Sequence, residues 1–270
     1  EADFEKPNTL RAVIRGEAPD LIVNAAAYNA VDKAETDSER AMAVNCHAVG
    51  VLAEEAKKLG AILIHYSTDY VFDGNKSEPY TEEDAPNPIN LYGRTKVAGE
   101  RAIHAAGCRH LIFRTSWVYA VRGTNFAKTI LRLASERDEI GVIADQFGAP
   151  TSAELIADVT AQCVNLITHC PERFGRLDGI YHLVAASETS WHDYARFVVA
   201  EATKLGLPLR LVPDAIRAIS TSEYPLPAKR PANARLATAK LCRAFHIGMP
   251  HWQTHLKRFL AEFVASTRPW

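Results

Sequence analysis

The hydrophobic pattern alternates between short continuous apolar runs and longer segments whose apolar positions recur three and four apart. The short runs are Leu21-Ile22-Val23, Ile62-Leu63-Ile64, Leu111-Ile112-Phe113, Val142-Ile143 and Ile180-Tyr181-His182-Leu183. Runs of this length, bounded by turn residues, read as buried strands. The segments between them read as helices: Leu10 to Ile14, with Pro7 in the first turn and Pro19-Asp20 as the stop; Asp37 to Leu59, closed by Gly60; and Leu91 to Ala106, closed by Gly107. Ala41, Val44, Ala48, Val51, Leu52 and Ala56 form the apolar stripe of the second. Further helices are expected from Asn125-Phe126 to about Glu136, from Ala153 to Ile167, from Trp191 to Leu205, and from His251 to Phe263. Strand–helix alternation of this kind predicts a parallel sheet. From 206 to 236 it gives way to a segment with Pro208, Pro213, Pro225, Pro227 and Pro231, read as loops and short strands. The expected division is a cofactor-binding domain over 1–145 and a smaller substrate domain mainly over 146–270, interleaved with the first.

Composition narrows the class. Of 270 residues, 47% are hydrophobic and 23% charged, as in ordinary globular proteins. A net charge of −1 argues against nucleic acid or an anionic membrane as partner. The five cysteines are scattered without C-x-x-C spacing, the pattern of reduced thiols, so a cytoplasmic location is expected. No apolar run approaches the roughly 20 residues of a membrane span, and no signal peptide is visible.

The chemistry concentrates between Ala61 and Glu100. Ser67, Thr68 and Asp69 follow the Ile62-Leu63-Ile64 run, at the strand end where open parallel sheets bind ligands. Tyr92 and Lys96 lie four apart on the next helix and project from one face. A strand-end hydroxyl and a Tyr–Lys pair make a proton-donor constellation; spacing alone would also describe a surface contact. His65 reads as structural. His251 and His255 are four apart, without the glutamate of an H-E-x-x-H metal motif.

Ser67-Thr68-Asp69-Tyr70-Val71-Phe72 with Tyr92-Gly93-x-x-Lys96 resembles the extended short-chain dehydrogenase/reductases, and more narrowly the dTDP-4-dehydrorhamnose reductase family. Asn24-Ala25-Ala26-Ala27-Tyr28, Phe113-Arg114-Thr115-Ser116-Trp117, Asp145-Gln146-Phe147-Gly148-Ala149-Pro150-Thr151 and Arg230-Pro231-Ala232-Asn233 extend the match along the whole chain. The resemblance implies a Rossmann-like doubly wound α/β fold and NADPH- or NADH-dependent reduction of the C4 ketone of a dTDP-sugar. It implies Tyr92 as proton donor, Lys96 on the phenol and the nicotinamide ribose, and Thr68 on the ketone oxygen. It places Asp3, Phe4, Ala26, Ala27, Tyr28 and Asn29 at the cofactor, and Thr68, Asp69, Trp117 and Arg230 at the substrate. Members of the superfamily often use an Asn at the position of Asn45 to brace the site; a surface or core-satisfied Asn is an equal reading. Some members of the family carry Mg2+ at a dimer contact, where Glu154 and Glu262 fall at matching positions; metal and homodimer stay open. The family opens with a strand, a Gly-rich turn and a helix, whereas this chain opens at Glu1-Ala2-Asp3-Phe4 without G-x-x-G-x-x-G. A preceding segment is therefore expected. Two other readings share the Tyr–Lys helix: a nucleotide-sugar epimerase or dehydratase, and a non-catalytic regulatory subunit like that of methionine adenosyltransferase.

Overall fold

The computed structural model describes residues 2–170 and 174–267. The elements in the first half are α1 (Pro7–Glu17), β1 (Leu21–Asn24), α2 (Val31–Ala34), α3 (Ser38–Met42), a π-helical segment (Ala43–His47), α4 (Ala48–Leu59), β2 (Ile62–Thr68), α5 (Leu91–Ala106), β3 (Arg109–Thr115) and β4 (Val118–Tyr119). Then come α6 (Phe126–Glu136), β5 (Ile140–Ile143), β6 (Phe147–Gly148), β7 (Thr151–Ser152), α7 (Ala153–His169) and α8 (Phe174–Leu177). The rest is β8 (Gly179–His182), β9 (Thr189–Ser190), α9 (Trp191–Lys204), β10 (Ile216–Ile219), α10 (Ala239–Phe245) and α11 (Trp252–Thr267).

A parallel sheet in the order β1-β2-β3-β8 forms the centre. Period-two alternation sends neighbouring side chains of its strands to opposite faces. Ile62, Ile64, Leu111 and Phe113 join a core with α6, α7, α9, α10 and α11, while Leu63 and Ile112 join a second core with α1, α4 and α5. Smaller pairings, β5 with β10, β4 with β7 and β6 with β9, organise the later half. The strand at Gly179–His182 comes from that half yet completes the central sheet. Among the described residues no helix is long and apolar enough to cross a membrane.

Local chemistry sets the helix starts. Side chains of Asn90, Asn125, Ser152 and Ser190 accept from the backbone N–H of Gly93, Lys128, Leu155 and Asp193 respectively, capping α5, α6, α7 and α9. Two expectations need correction. The Leu21-Ile22-Val23 run is not buried throughout: β1 is an edge strand of the described sheet, and Val23 is 47% exposed. The helix expected over Asp37 to Leu59 is interrupted by the π segment, whose wider turn places Asn45 among loop and helix partners described below.

α1 is tied to α4 by Glu55, a buried carboxylate that accepts from Arg15 Nε at 2.6 Å, Lys58 Nζ at 2.8 Å and Arg11 Nη1 at 2.9 Å. Arg15, then Lys58 and Arg11, hold its carboxyl well below the ordinary carboxylate range against the opposing effect of burial. A depressed folded pKa contributes stability that is complete above the unfolded value and is lost as pH falls through the folded one. Denaturant midpoints measured between roughly pH 5 and pH 2 should therefore fall less steeply for Glu55→Gln than for the unaltered chain. Parallel acid limbs would contradict this assignment.

Candidate active site

The carboxyl ends of β1, β2 and β3 converge on one edge of the sheet, and α5 crosses beside them. Thr68 ends β2; its hydroxyl donates to Asp69 Oδ1 at 3.0 Å and accepts from Tyr70 N at 3.2 Å. Asp69 is buried, and that burial pushes its carboxyl up to about 7 against the opposing Thr68 and Ser116 hydroxyls. Tyr92 and Lys96 share one face of α5. Gly93 lets that helix start directly against the preceding turn, because a Cβ there would run into Tyr70 O. The Tyr70 and Tyr92 rings meet edge to face at 5.6 Å.

Burial pushes the Tyr92 phenol up to about 12; the Thr68 hydroxyl lowers it and Asp69 raises it. Sequence reasoning expected Lys96 to draw this pKa down. Instead the Lys96 nitrogen is turned to Tyr66 O at 2.7 Å and His65 Nε2 at 3.2 Å. Tyr92 is thus held as the neutral phenol, the form that can give a proton. Burial lowers Lys96 to about 8, opposed by Glu100. Glu100 accepts from Arg114 at 2.6 and 2.9 Å and from Ser67 Oγ at 2.5 Å, all three side chains being buried. The Arg114 guanidinium lies 5.1 Å over the Phe72 ring.

Asp3, Phe4, Ala26 and Ala27, four of the residues expected at the cofactor, line one cleft of about 780 Å³ together with Ala25 and Val44. Tyr28 is held beside it: Asn45 accepts from Tyr28 N at 2.9 Å and donates to Tyr28 O at 2.9 Å and Thr95 Oγ1 at 3.0 Å. Asn45 therefore clamps the alanine loop to α5. Asn29 is exposed and does not line that cleft.

Trp117 follows β3 and adopts φ = +46°, a conformation that bulky residues avoid. Its ring stacks on Trp191 with centroids 3.5 Å apart and planes 12° from parallel. A Cβ on Gly148 would come within 2.6 Å of the same ring, so only glycine leaves room for it. Arg230 is engaged by Asp32 in a two-pronged pair, Nη1 to Oδ1 at 2.6 Å and Nη2 to Oδ2 at 2.7 Å. Among the described residues no group of three or more His, Cys, Asp or Glu side chains gathers as a metal-binding set, Glu154 and Glu262 included.

Sequence reasoning gave Asp32, Gly148 and Trp191 no place at the site, and it assigned no role to Glu100 or Arg114. A signal existed for the ion pair. Tyr92, Lys96 and Glu100 repeat at i, i+4 and i+8, and Arg114 directly follows the apolar Leu111-Ile112-Phe113 run within one strand. Polar groups at core positions require partners.

Comparison with known proteins bears on this geometry. The family model for the RmlD substrate binding domain matches residues 1–265. The dTDP-4-dehydrorhamnose reductase of Escherichia coli K12 is 50% identical over 265 residues, covering 98% of this chain and 87% of that protein. The enzyme of the same name from Salmonella typhimurium is 49% identical with the same coverage. Among solved structures, the Bacillus anthracis dTDP-4-dehydrorhamnose reductase in complex with NADP superposes with a TM-score of 0.83 at 32% identity, covering 98% of this chain and 87% of that one. By fold, by site geometry and by identity along nearly its whole length, the chain belongs to the RmlD family of dTDP-4-dehydrorhamnose reductases.

Proposed function

We propose that this chain reduces the C4 ketone of dTDP-4-dehydro-L-rhamnose to dTDP-L-rhamnose with NADPH or NADH, supplying a nucleotide sugar for cell-surface polysaccharide. The observation that carries the proposal is the gathering of buried Thr68, Asp69 and Lys96 with the half-buried Tyr92 at the carboxyl end of β2, next to the strand whose end carries the alanine-walled cleft. The methyl side chains of Ala25, Ala26 and Ala27 let a flat group approach the backbone closely, which fits a nucleotide cofactor. When bound, that cofactor supplies the hydride, which no side chain can.

The remaining chemistry belongs to the protein. Tyr92 gives its phenolic proton to the oxygen that gains charge at C4. Thr68 turns its hydroxyl from Asp69 to the ketone oxygen and holds it against Tyr92. Lys96 reaches the ribose hydroxyls with the ammonium hydrogens not given to Tyr66 O. Asp69 and Trp117 flank the sugar. Arg230 serves the diphosphate end as the cationic half of its pair with Asp32. Residues before about 145 act as the cofactor unit and the later ones mainly as the substrate unit.

The test is incubation of the purified full chain with NADPH and the keto sugar. Consumption of reduced cofactor in step with product formation is expected. An epimerase or dehydratase would consume none, and a regulatory subunit would leave the sugar unchanged. A further expectation concerns Gly148. Gly148→Ala should displace Trp117 and raise KM for the sugar several-fold, with cofactor affinity unchanged. Unaltered steady-state parameters would remove Trp117 from the substrate wall.

A further inference from the structure

His65 stands within β2 between the alanine loop and Lys96, and the mechanism above gives it no task. It is wholly buried. Its Nδ1 lies 3.0 Å from Asn24 Nδ2, and its Nε2 lies 3.2 Å from Lys96 Nζ. Asn24, at the end of β1, accepts at Oδ1 from Ala26 N at 3.1 Å. A hydrogen-bonded chain therefore runs from the backbone of the alanine loop to the lysine.

The number of hydrogens fixes the direction of that chain. The Ala26 N–H can only donate, so it turns Asn24 with Oδ1 toward itself and Nδ2 toward His65. An amide nitrogen is a donor, so Nδ1 of His65 must accept. Burial, and then Lys96, hold His65 well below its ordinary pKa, so the ring is neutral and carries one N–H. That hydrogen sits on Nε2 and points at Lys96 Nζ. An ammonium has no lone pair to receive it, whereas a neutral amine does.

We infer that His65 is a positioning residue for the reduction: it donates from Nε2 to Lys96 and favours the neutral amine that Lys96 becomes on passing on a proton. The inference rests on the roles given above to Tyr92 and Lys96. The protons balance. The Tyr92 proton goes to the alkoxide, the phenolate regains one through a bridging water from the Lys96 ammonium, whose nitrogen faces Tyr66 O and His65, and the resulting amine accepts from His65. A solvent proton later restores the ammonium. Burial acts on Lys96 in the same direction.

The charged groups around Lys96 are few. Glu100, one turn further along α5, favours the ammonium but is already paired with Arg114 of β3. Asp69, after β2, acts on Tyr92, on Lys96's own helix. The π segment contributes neutral Asn45, α4 contributes Val49 at Gly99, and α3 turns Ala41 inward. Glu35, after α2, accepts from Leu91 N at the start of α5.

The first test needs no variant. Nitrogen NMR of the histidine-labelled full chain, above the pH at which Lys96 titrates, should show His65 with Nε2 protonated and Nδ1 bare. The opposite tautomer would overturn the inference. The second test compares pH profiles of kcat. His65→Leu removes the donor, and the limb belonging to Lys96 should move up by about one pH unit, the size of one hydrogen bond. His65→Gln keeps an amide donor at the Nε2 position and should restore the profile, with cofactor Kd similar in all three proteins. A His65→Leu profile equal to that of the unaltered chain would overturn the inference. An unaltered chain that reduces no ketone would overturn the catalytic reading and this role with it; the tautomer tells the two failures apart.

Discussion

Tyr92→Phe should lower ketone turnover by about 10²–10⁴-fold, the usual contribution of a positioned general acid, while leaving cofactor affinity nearly unchanged. The substitution removes one oxygen and keeps the ring that meets Tyr70 edge to face. Packing at the start of α5 therefore survives. Lys96→Met should differ by weakening cofactor binding as well, because Lys96 is assigned the ribose contact. The measurement is steady-state reduction of the keto sugar, with cofactor titrated separately. Near-normal turnover by Tyr92→Phe would mean that another group protonates C4, and the proton-donor assignment would fall.

Arg114→Leu should destabilise the fold by about 3–5 kcal/mol, the range for breaking a buried ion pair from one side. Arg114 is 2% exposed and Glu100 3%, so the remaining carboxylate would be shielded from water with Ser67 as its hydrogen-bond donor. Removing both charges, as Arg114→Leu with Glu100→Leu, should recover most of the loss, since no unpaired charge is then left buried. Urea denaturation of the single and double variants gives the comparison. Equal stability of the two would show that the loss comes from packing and not from the stranded charge.

The parts of this fold legible in the sequence are those governed by local chemistry. Asn90 and Gly107 bracket α5 as cap and stop, and Tyr92 and Lys96 then share a face by helical geometry alone. The Ile62-Leu63-Ile64 and Leu111-Ile112-Phe113 runs became the two inner strands for the same reason: an apolar side chain on every face needs cover on both. The parts that stayed hidden depend on partners far along the chain. Arg230 meets Asp32 across 198 positions, and a carboxylate so distant leaves no trace near the arginine. The π segment keeps an ordinary helical composition, so no periodicity distinguishes it. His65 looked structural because a histidine inside an apolar strand shows its use only when Asn24 and Lys96 are seen on either side.

The stack of Trp117 on Trp191 has an optical consequence. Two indoles this close and nearly parallel behave as one coupled chromophore, two of the four tryptophans in the chain. Their joint absorption should give near-ultraviolet circular dichroism of a strength that isolated indoles lack. A group arriving beside Trp117 changes both the angle between the rings and their shared excited state. The molecule thus carries a label-free reporter at Trp117, the residue proposed to flank the sugar, one that needs no turnover and no reduced cofactor to be read.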